Sequence, residues 1–384
     1  MASGKRTGNT TTAGKKRSAT TTAGARRAPA ATAGGKLARG TGGESGPRPR
    51  AGAVAGRERI HLHIDNDSQL GEVFEVTPAR LDAALKAFPH VAQHLRITME
   101  TDGHRLDEHL ATADVLFGWR FDRSNLEQRA PKLRWIHAPG AGINHFIPFD
   151  WLPARMVFTN NRGIHGARAH EYAIMAILML NNRLPEMVTN QRQGRWEQLF
   201  NSGIEGKTLL VIGVGSVGGG IATWAKRFGM YVIGVRRTGR PRRGVDEMHT
   251  PDALPKLLPR ADFVAVATPA TTKTKRLLGR EEIALLKKGA GLLNYSRAAL
   301  VDYEALRERL ERRELTAVLD VFDPEPLPAD SPLWRTPNLI ITPHSSSDDT
   351  ERYTPKTLDL LFRQMERFMA GRKLANIVDR ELEY

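Results

Sequence analysis

The chain has 384 residues, 40% of them hydrophobic and 26% charged, which suits a globular protein with room for two domains. It has no cysteine, so disulfides, iron–sulfur ligation and a thiol nucleophile are excluded, in keeping with a reducing, cytoplasmic setting. The longest apolar run, Ala173–Leu180, is too short to span a bilayer and no signal-peptide core precedes it, so no membrane role is expected.

Residues 1–57 carry twelve Lys or Arg against one acid, Glu44, and so hold +11 of the net +15, leaving +4 for residues 58–384. After Met1, Leu37 and Val54 are their only large apolar residues, too few to offset chain entropy, which predicts a disordered basic tail. A loose ten-residue repeat (Ala13-Gly14, Ala23-Gly24, Ala33-Gly34) runs through it. Three readings stay open: a dispensable tail or an upstream start, a tether to nucleic acid or another polyanion, and a transit peptide lacking the usual Leu/Phe face.

From Arg59 the pattern alternates strand and helix. IHLHID (60–65) reads as a strand, and 79–88 as a helix with Leu81, Leu85 and Phe88 on one face. Strands follow at 96–101, 114–119, 134–138 and 156–160. A helix buried on most sides is predicted from about His165 to Asn182, breaking near Leu184-Pro185. Further strands are read at 208–215, 230–235, 262–269, 291–296, 317–322 and 339–344, and an amphipathic helix within 351–371. This alternation implies parallel sheets with helices on both faces.

The strand TLLVIGVG runs into Gly213-Val214-Gly215-Ser216-Val217-Gly218 and then a helix, the context in which GxGxxG binds a dinucleotide. Gly213 allows the tight turn, Gly215 lets backbone approach a pyrophosphate, and Gly218 lets the helix pack on the sheet. Ser216 and Val217 open the helix N-terminus that faces the phosphates. An NAD site usually has Asp or Glu at the end of the second strand. Here stand Arg236, Arg237 and Thr238, with Arg240, Arg242 and Arg243 behind, which favours a 2′-phosphate and hence NADP over NAD.

Three segments at predicted strand ends remain: Asn294-Tyr-Ser296-Arg297 through Asp302, Leu319-Asp320 through Glu325-Pro-Leu-Pro328, and Ile341-Thr-Pro-His344-Ser. In this order below GxGxxG, they make the chain resemble the D-isomer-specific 2-hydroxyacid dehydrogenase family from about residue 60 onward. With Pro332-Leu-Trp and NIVDRELEY (376–384), it is most similar to short bacterial glyoxylate/hydroxypyruvate reductase-like members. The resemblance implies a D-2-hydroxyacid dehydrogenase working mainly as a reductase of small 2-keto acids. Its fold would be two Rossmann/flavodoxin-like parallel-sheet α/β domains around a cleft. The substrate domain would span 58–157, completed by 344–384, and the dinucleotide domain 158–343.

His344 is the natural proton donor to a carbonyl oxygen, because its ordinary pKa lies near neutrality. Glu325 would orient the imidazole and favour its charged form. Arg297 would bind the substrate carboxylate and polarise the carbonyl. The family assigns these three catalytic roles at the matching positions. It also implies that Asp320 holds the nicotinamide carboxamide, and that Thr268, Pro269 and Ser296 line the cofactor cleft. Ala141 and Gly142 would offer backbone N–H groups to the carboxylate, and Trp119 would cap the pocket. No metal is implied. The family is usually a homodimer through the 165–182 helix. Ala298 stands where many members have Gly, Asn144 replaces a common Asp, and Glu325 argues against a formate-dehydrogenase-like site. The alternative is a dinucleotide-sensing, corepressor-like protein whose tail binds nucleic acid.

Overall fold

The structure is a computed structural model that describes residues 59–384; the expectations placed on residues 1–57 lie outside the described residues. Two sheets organise the chain. The first contains β1 (Ile60–Asn66), β2 (Leu95–Thr101), β3 (Val115–Gly118), β4 (Trp135–Ala138) and β5 (Val157–Asn160), in the order β2-β1-β3-β4-β5. Helices α1 (Pro78–Ala87), α2 (Pro89–Ala92), α3 (Leu106–Leu110) and α4 (Leu126–Arg129) connect them. Two helices, α5 (Gly166–Asn181) and α6 (Leu184–Arg192), lead into the second sheet.

That sheet holds β6 (Thr208–Ile212), β7 (Tyr231–Val235), β8 (Glu247–His249), β9 (Phe263–Val266), β10 (Ala290–Asn294), β11 (Leu315–Leu319) and β12 (Leu339–Ile341). Its order is β12-β11-β10-β9-β6-β7-β8. The intervening helices are α7 (Ser216–Arg227), α8 (Leu254–Leu257), α9 (Arg280–Leu285) and α10 (Tyr303–Glu311), and α11 (Tyr353–Met369) follows β12. Each pairing between these strands is parallel.

Parallel sheets covered on both faces need apolar side chains on both, and the strands obey this: all of FVAV in β9 and all but the first residue of TLLVI in β6 are buried. α5 lays Ala169, Tyr172, Ala173, Ala176, Ile177 and Leu180 against the second sheet. The expected break after it occurs, but as a restart. Arg183 adopts a left-handed conformation (φ 55°) and Pro185 sits in the first turn of α6, where a missing N–H costs nothing. After β12 the chain returns to the first sheet: Leu358, Leu361, Phe362, Met365 and Phe368 of α11 are buried with Val115 and Trp135. Full burial of each such side chain is worth about 1.5–3 kcal/mol.

Both sheets contain a switch in strand order, and both switches matter for the site. The chain leaves β1 toward β2 and comes back on its other side as β3; it leaves β6 toward β7 and comes back as β9. The carboxyl ends beside such a switch form a crevice. Leu70 and Trp119, beyond β1 and β3, and Gly215 and Thr268, beyond β6 and β9, line one and the same cleft of about 620 Å³.

Candidate functional site

The glycine turn after β6 is shaped by close approach. Gly213 has φ +99°, and a methyl group there would lie 2.5 Å from the Thr268 backbone nitrogen. One at Gly218 would lie 2.1 Å from the Gly213 carbonyl oxygen, whereas one at Gly215 would meet nothing within 4 Å. The tight positions thus knit β6, β9 and α7 together, and the open one faces the cleft with Ser216 and Val217. No side chain caps α7, so its first-turn N–H groups stay available. This cradle fits a dinucleotide pyrophosphate.

At the end of β7, Arg236 lines the cleft and Arg237 and Thr238 are exposed beside it. Arg237 Nε donates to the Tyr384 hydroxyl at 3.0 Å. Arg242 turns away: its guanidinium lies where a methyl group on Gly219 of α7 would be, 2.1 Å from Nε. Across the turn, the Ser296 hydroxyl donates to the Thr268 carbonyl, and Thr268, Pro269 and Ser296 all line the cleft.

The second sheet presents two polar side chains to the same space. Arg297 follows β10; its Nη1 donates to the Ser296 carbonyl at 2.6 Å and its Nε to Asn144 Oδ1 at 3.0 Å. Nη2 has no partner among the described residues. Burial pushes this guanidinium below its ordinary value while Glu325 and Asp348 oppose the shift. A guanidinium titrates so far above neutrality that it stays charged.

His344 follows β12 in a left-handed conformation (φ 49°). Its N–H donates to the Asp320 carbonyl at 2.8 Å. The Asp320 carboxylate accepts from the Thr342 hydroxyl (2.5 Å) and from the N–H groups of Ser345 and Ser346 (both 3.2 Å). His344 Nδ1 donates to Glu325 Oε2 at 2.7 Å, and Glu325 Oε1 accepts from the Phe322 N–H at 2.7 Å. Burial alone would raise the Glu325 carboxyl, but the bonds from His344 and Phe322 hold it below the usual range. It is therefore a carboxylate near neutral pH, and the imidazole presents Nε2 to the cleft.

The first sheet supplies the loop after β4. The Asn161 amide side chain donates to the Pro139 carbonyl (2.6 Å), the Asn161 N–H to Gly140 (3.1 Å), and the Asn160 side chain to Ala141 (3.0 Å). With three carbonyls tied back, the Ala141 and Gly142 N–H groups are without partners among the described residues. Gly142 presses on Arg297: a methyl group there would lie 1.9 Å from Nη2. The Trp119 indole covers Gly140 and sits 4.2 Å from the His145 ring, at the cleft wall.

The structure thus brings together Arg297, His344, Ala141, Gly142, Trp119, Gly215, Ser216, Val217, Arg236, Thr268, Pro269 and Ser296 around one cleft. Glu325 stands behind His344. Asp320 is fully buried, bracing the His344 turn instead of forming the wall. Sequence reasoning did not single out Leu70, Phe74 and Asp348, which also line the cleft; His165, read only as a helix start, and Glu383 and Tyr384, read only as part of the 376–384 resemblance, line it too. His165 and Asp348 pair at 3.3 Å. Among the described residues no helix is long and apolar enough to cross a membrane, and no cluster is arranged to hold a metal ion.

Residues 174–346 match the family described as D-isomer specific 2-hydroxyacid dehydrogenase, NAD binding domain. A D-3-phosphoglycerate dehydrogenase of Methanocaldococcus jannaschii is 31% identical over 314 residues, which are 79% of this chain but only 59% of that protein's length. The crystal structure of a D-isomer specific 2-hydroxyacid dehydrogenase family protein from Aeromonas salmonicida subsp. salmonicida is 34% identical, with a TM-score of 0.70, covering 84% of this chain and all of that one. An NADPH-dependent glyoxylate/hydroxypyruvate reductase from Sinorhizobium meliloti, solved with NADP and sulfate, is 25% identical with a TM-score of 0.70, covering 84% of this chain and all of that one.

Proposed function

Because the chain belongs to the D-isomer specific 2-hydroxyacid dehydrogenase family and is an NAD(P)-dependent oxidoreductase, we propose that it reduces small 2-keto acids such as glyoxylate or hydroxypyruvate to D-2-hydroxy acids, with NADPH preferred. One observation carries the reading: a carboxylate-backed imidazole and a guanidinium with a free Nη2 meet unpartnered backbone N–H groups in the cleft that holds the glycine cradle.

When bound in the glycine cradle, a reduced nicotinamide would supply the hydride that the carbonyl carbon takes up. Arg297 Nη2 and the Ala141 and Gly142 N–H groups hold the substrate carboxylate, which fixes the carbonyl beside His344. His344 gives the Nε2 proton to the carbonyl oxygen as charge develops there, becoming neutral with its Nδ1 proton retained and hydrogen-bonded to the Glu325 carboxylate. Glu325 keeps that tautomer and stabilises the imidazolium before transfer. Trp119 and the closing of the two sheets' halves exclude water. The NADPH preference rests on Arg236 and Arg237 standing where an acid would hold a ribose hydroxyl.

The test is steady-state oxidation of NADPH and NADH against glyoxylate, hydroxypyruvate, pyruvate and phenylpyruvate. Turnover at least tenfold better in kcat/KM with NADPH is expected. Tight dinucleotide binding without turnover of any keto acid would defeat the enzyme assignment for this site, and equal use of NADH would defeat the cofactor preference.

The partner proposed is a second copy. The outward face of α5 with α6 leaves an apolar groove of about 870 Å³ lined by Met175, Met179, Leu184, Met187, Phe200 and Trp224. Phe200 is 82% exposed and the nearby Trp196 93%, which a lone folded chain rarely tolerates. Light scattering at micromolar concentration should give twice the monomer mass; a monomer would overturn this.

A further inference from the structure

Residues 377–384 cross from the first sheet's half to the second's. Ile377 bridges Thr159, and the Val378 N–H donates to the Phe158 carbonyl at 2.9 Å, so the segment begins alongside β5. Arg380 donates to the carbonyls of Leu152, Pro153 and Met156 at 2.7, 2.8 and 3.1 Å, which anchors it there. A turn follows, closed by bonds from the Glu383 N–H to Asp379 (2.8 Å) and from the Asp379 N–H to Tyr384 (3.1 Å). The side chains beyond the turn contact the other half. The Glu383 carboxylate accepts from both the N–H (2.6 Å) and the hydroxyl (2.7 Å) of Thr272, in the loop after β9. Tyr384 accepts from Arg237, just past β7, and Glu383 and Tyr384 line the cleft with Arg236, with Arg237 exposed beside it.

We infer that Glu383 and Tyr384 form a strap, donated by the first sheet's half, that completes the adenosine end of the dinucleotide site, with Tyr384 a specificity-determining residue for NADPH. The inference rests on the NADPH reading above. The Tyr384 oxygen accepts from Arg237 Nε, so its own O–H is left to donate, and it has no acceptor among the described residues. The Nη groups of Arg237 also lack partners there. With Nε held, the Nη1/Nη2 edge is the one left to grip an anion bidentately. A 2′-phosphate oxygen set beside Nη2 on its Nε side, next to the phenol oxygen, accepts from the guanidinium and the phenol O–H together. A neutral ribose hydroxyl brings no negative charge to pair with the guanidinium and cannot bridge its edge bidentately. Glu383, with both oxygens on Thr272, ties the strap across the gap, so the two halves cannot part to exchange dinucleotide without breaking that contact.

Calorimetric titration of the full chain with 2′,5′-ADP and 5′-AMP tests the selection. The wild type should bind 2′,5′-ADP at least tenfold more tightly. Tyr384→Phe, which keeps the ring, should weaken 2′,5′-ADP about five- to tenfold and leave 5′-AMP unchanged. Equal loss for both ligands would make the phenol merely structural, and tighter 2′,5′-ADP binding would make it a competitor; either overturns the inference. No preference in the wild type would sink the NADPH reading itself, and the inference with it. For closure, stopped-flow release of NADPH and of NADH from Glu383→Gln should both quicken severalfold. Unchanged release rates would remove the strap.

Discussion

The two sheets share a plan and differ in what they bury. In the second, the buried polar side chains Asn294 and Asp320 sit where strands end, and each braces a loop that carries chemistry. The Asn294 amide donates to the Arg297 carbonyl (3.0 Å) and the Tyr303 hydroxyl (2.9 Å), while Asp320 ties down the turn after β12. In the first, buried polar groups occupy the middle of β1. His61, His63 and Asp65 fill successive positions on one face, and His63 Nε2 and Asp65 Oδ2 have no hydrogen-bond partner among the described residues. One half therefore uses its interior polarity to aim Arg297 and His344; the other uses Asn160 and Asn161 to hold the loop after β4 but also carries, within β1, polarity that weighs on its own stability. The proposed proton donor and guanidinium belong to the second half, and the pH-sensitive interior of β1 to the first.

The sharpest way to break that division is to remove chemistry from the second half alone. His344→Ala should lower kcat/KM for the keto acid about 10³-fold while NADPH binding, followed by fluorescence, stays within twofold. Retention of a tenth of the activity would move the proton donor elsewhere. Next comes the contact between halves. In Gly142→Ala the new methyl group collides with Arg297 Nη2. About a 10²-fold loss in kcat/KM is expected, mostly as a raised KM for the keto acid, with dinucleotide affinity untouched. An equal loss in dinucleotide affinity would mean that the loop after β4 supports the cofactor half instead.

What the sequence made legible follows the same division. Strands buried on both faces read as unbroken apolar runs, so β6, β9 and β10 stood out, and GxGxxG marked the β6–α7 turn because its geometry leaves little choice of residue. The motifs around Arg297, Glu325 and His344 were legible through resemblance. β8 was not: Glu247, Met248 and His249 are half-buried, and three residues show no period. α6 was hidden because Pro185 reads equally as a stop and as a first-turn residue. Asp320's bracing of the His344 turn, and the Arg237–Tyr384 bond across 147 residues of sequence, arise only from tertiary contact. Arg242 shows the same limit, since a basic run does not say which guanidinium folds back onto α7.

The smallest effect expected is in acid stability, and it belongs to the first half. Burial first, then the nearby Arg96 charge and His109, push His61 down to about 4; burial first, then His109 and His61, do the same to His63. For a depressed histidine the unfolded chain binds protons that the folded chain refuses. The stabilisation is therefore complete above the ordinary value near 6.5 and is lost as pH falls through about 4. Asp65 runs the other way: burial raises it to about 6 against the Gly103 N–H, so its contribution is full below 3.8 and is lost as pH rises through about 6. Two histidines against one aspartate give a net loss on acidification from pH 6.5 to 4.5, seen as a fall of roughly 5 °C in Tm. Asp65→Asn keeps an acceptor for Gly103 and removes the opposing titration. It should raise Tm by a few degrees at pH 7 and steepen the acid fall. A flat Tm over that pH range in both proteins would show that the interior of β1 is better solvated than its burial implies, and would erase the contrast between the two sheets.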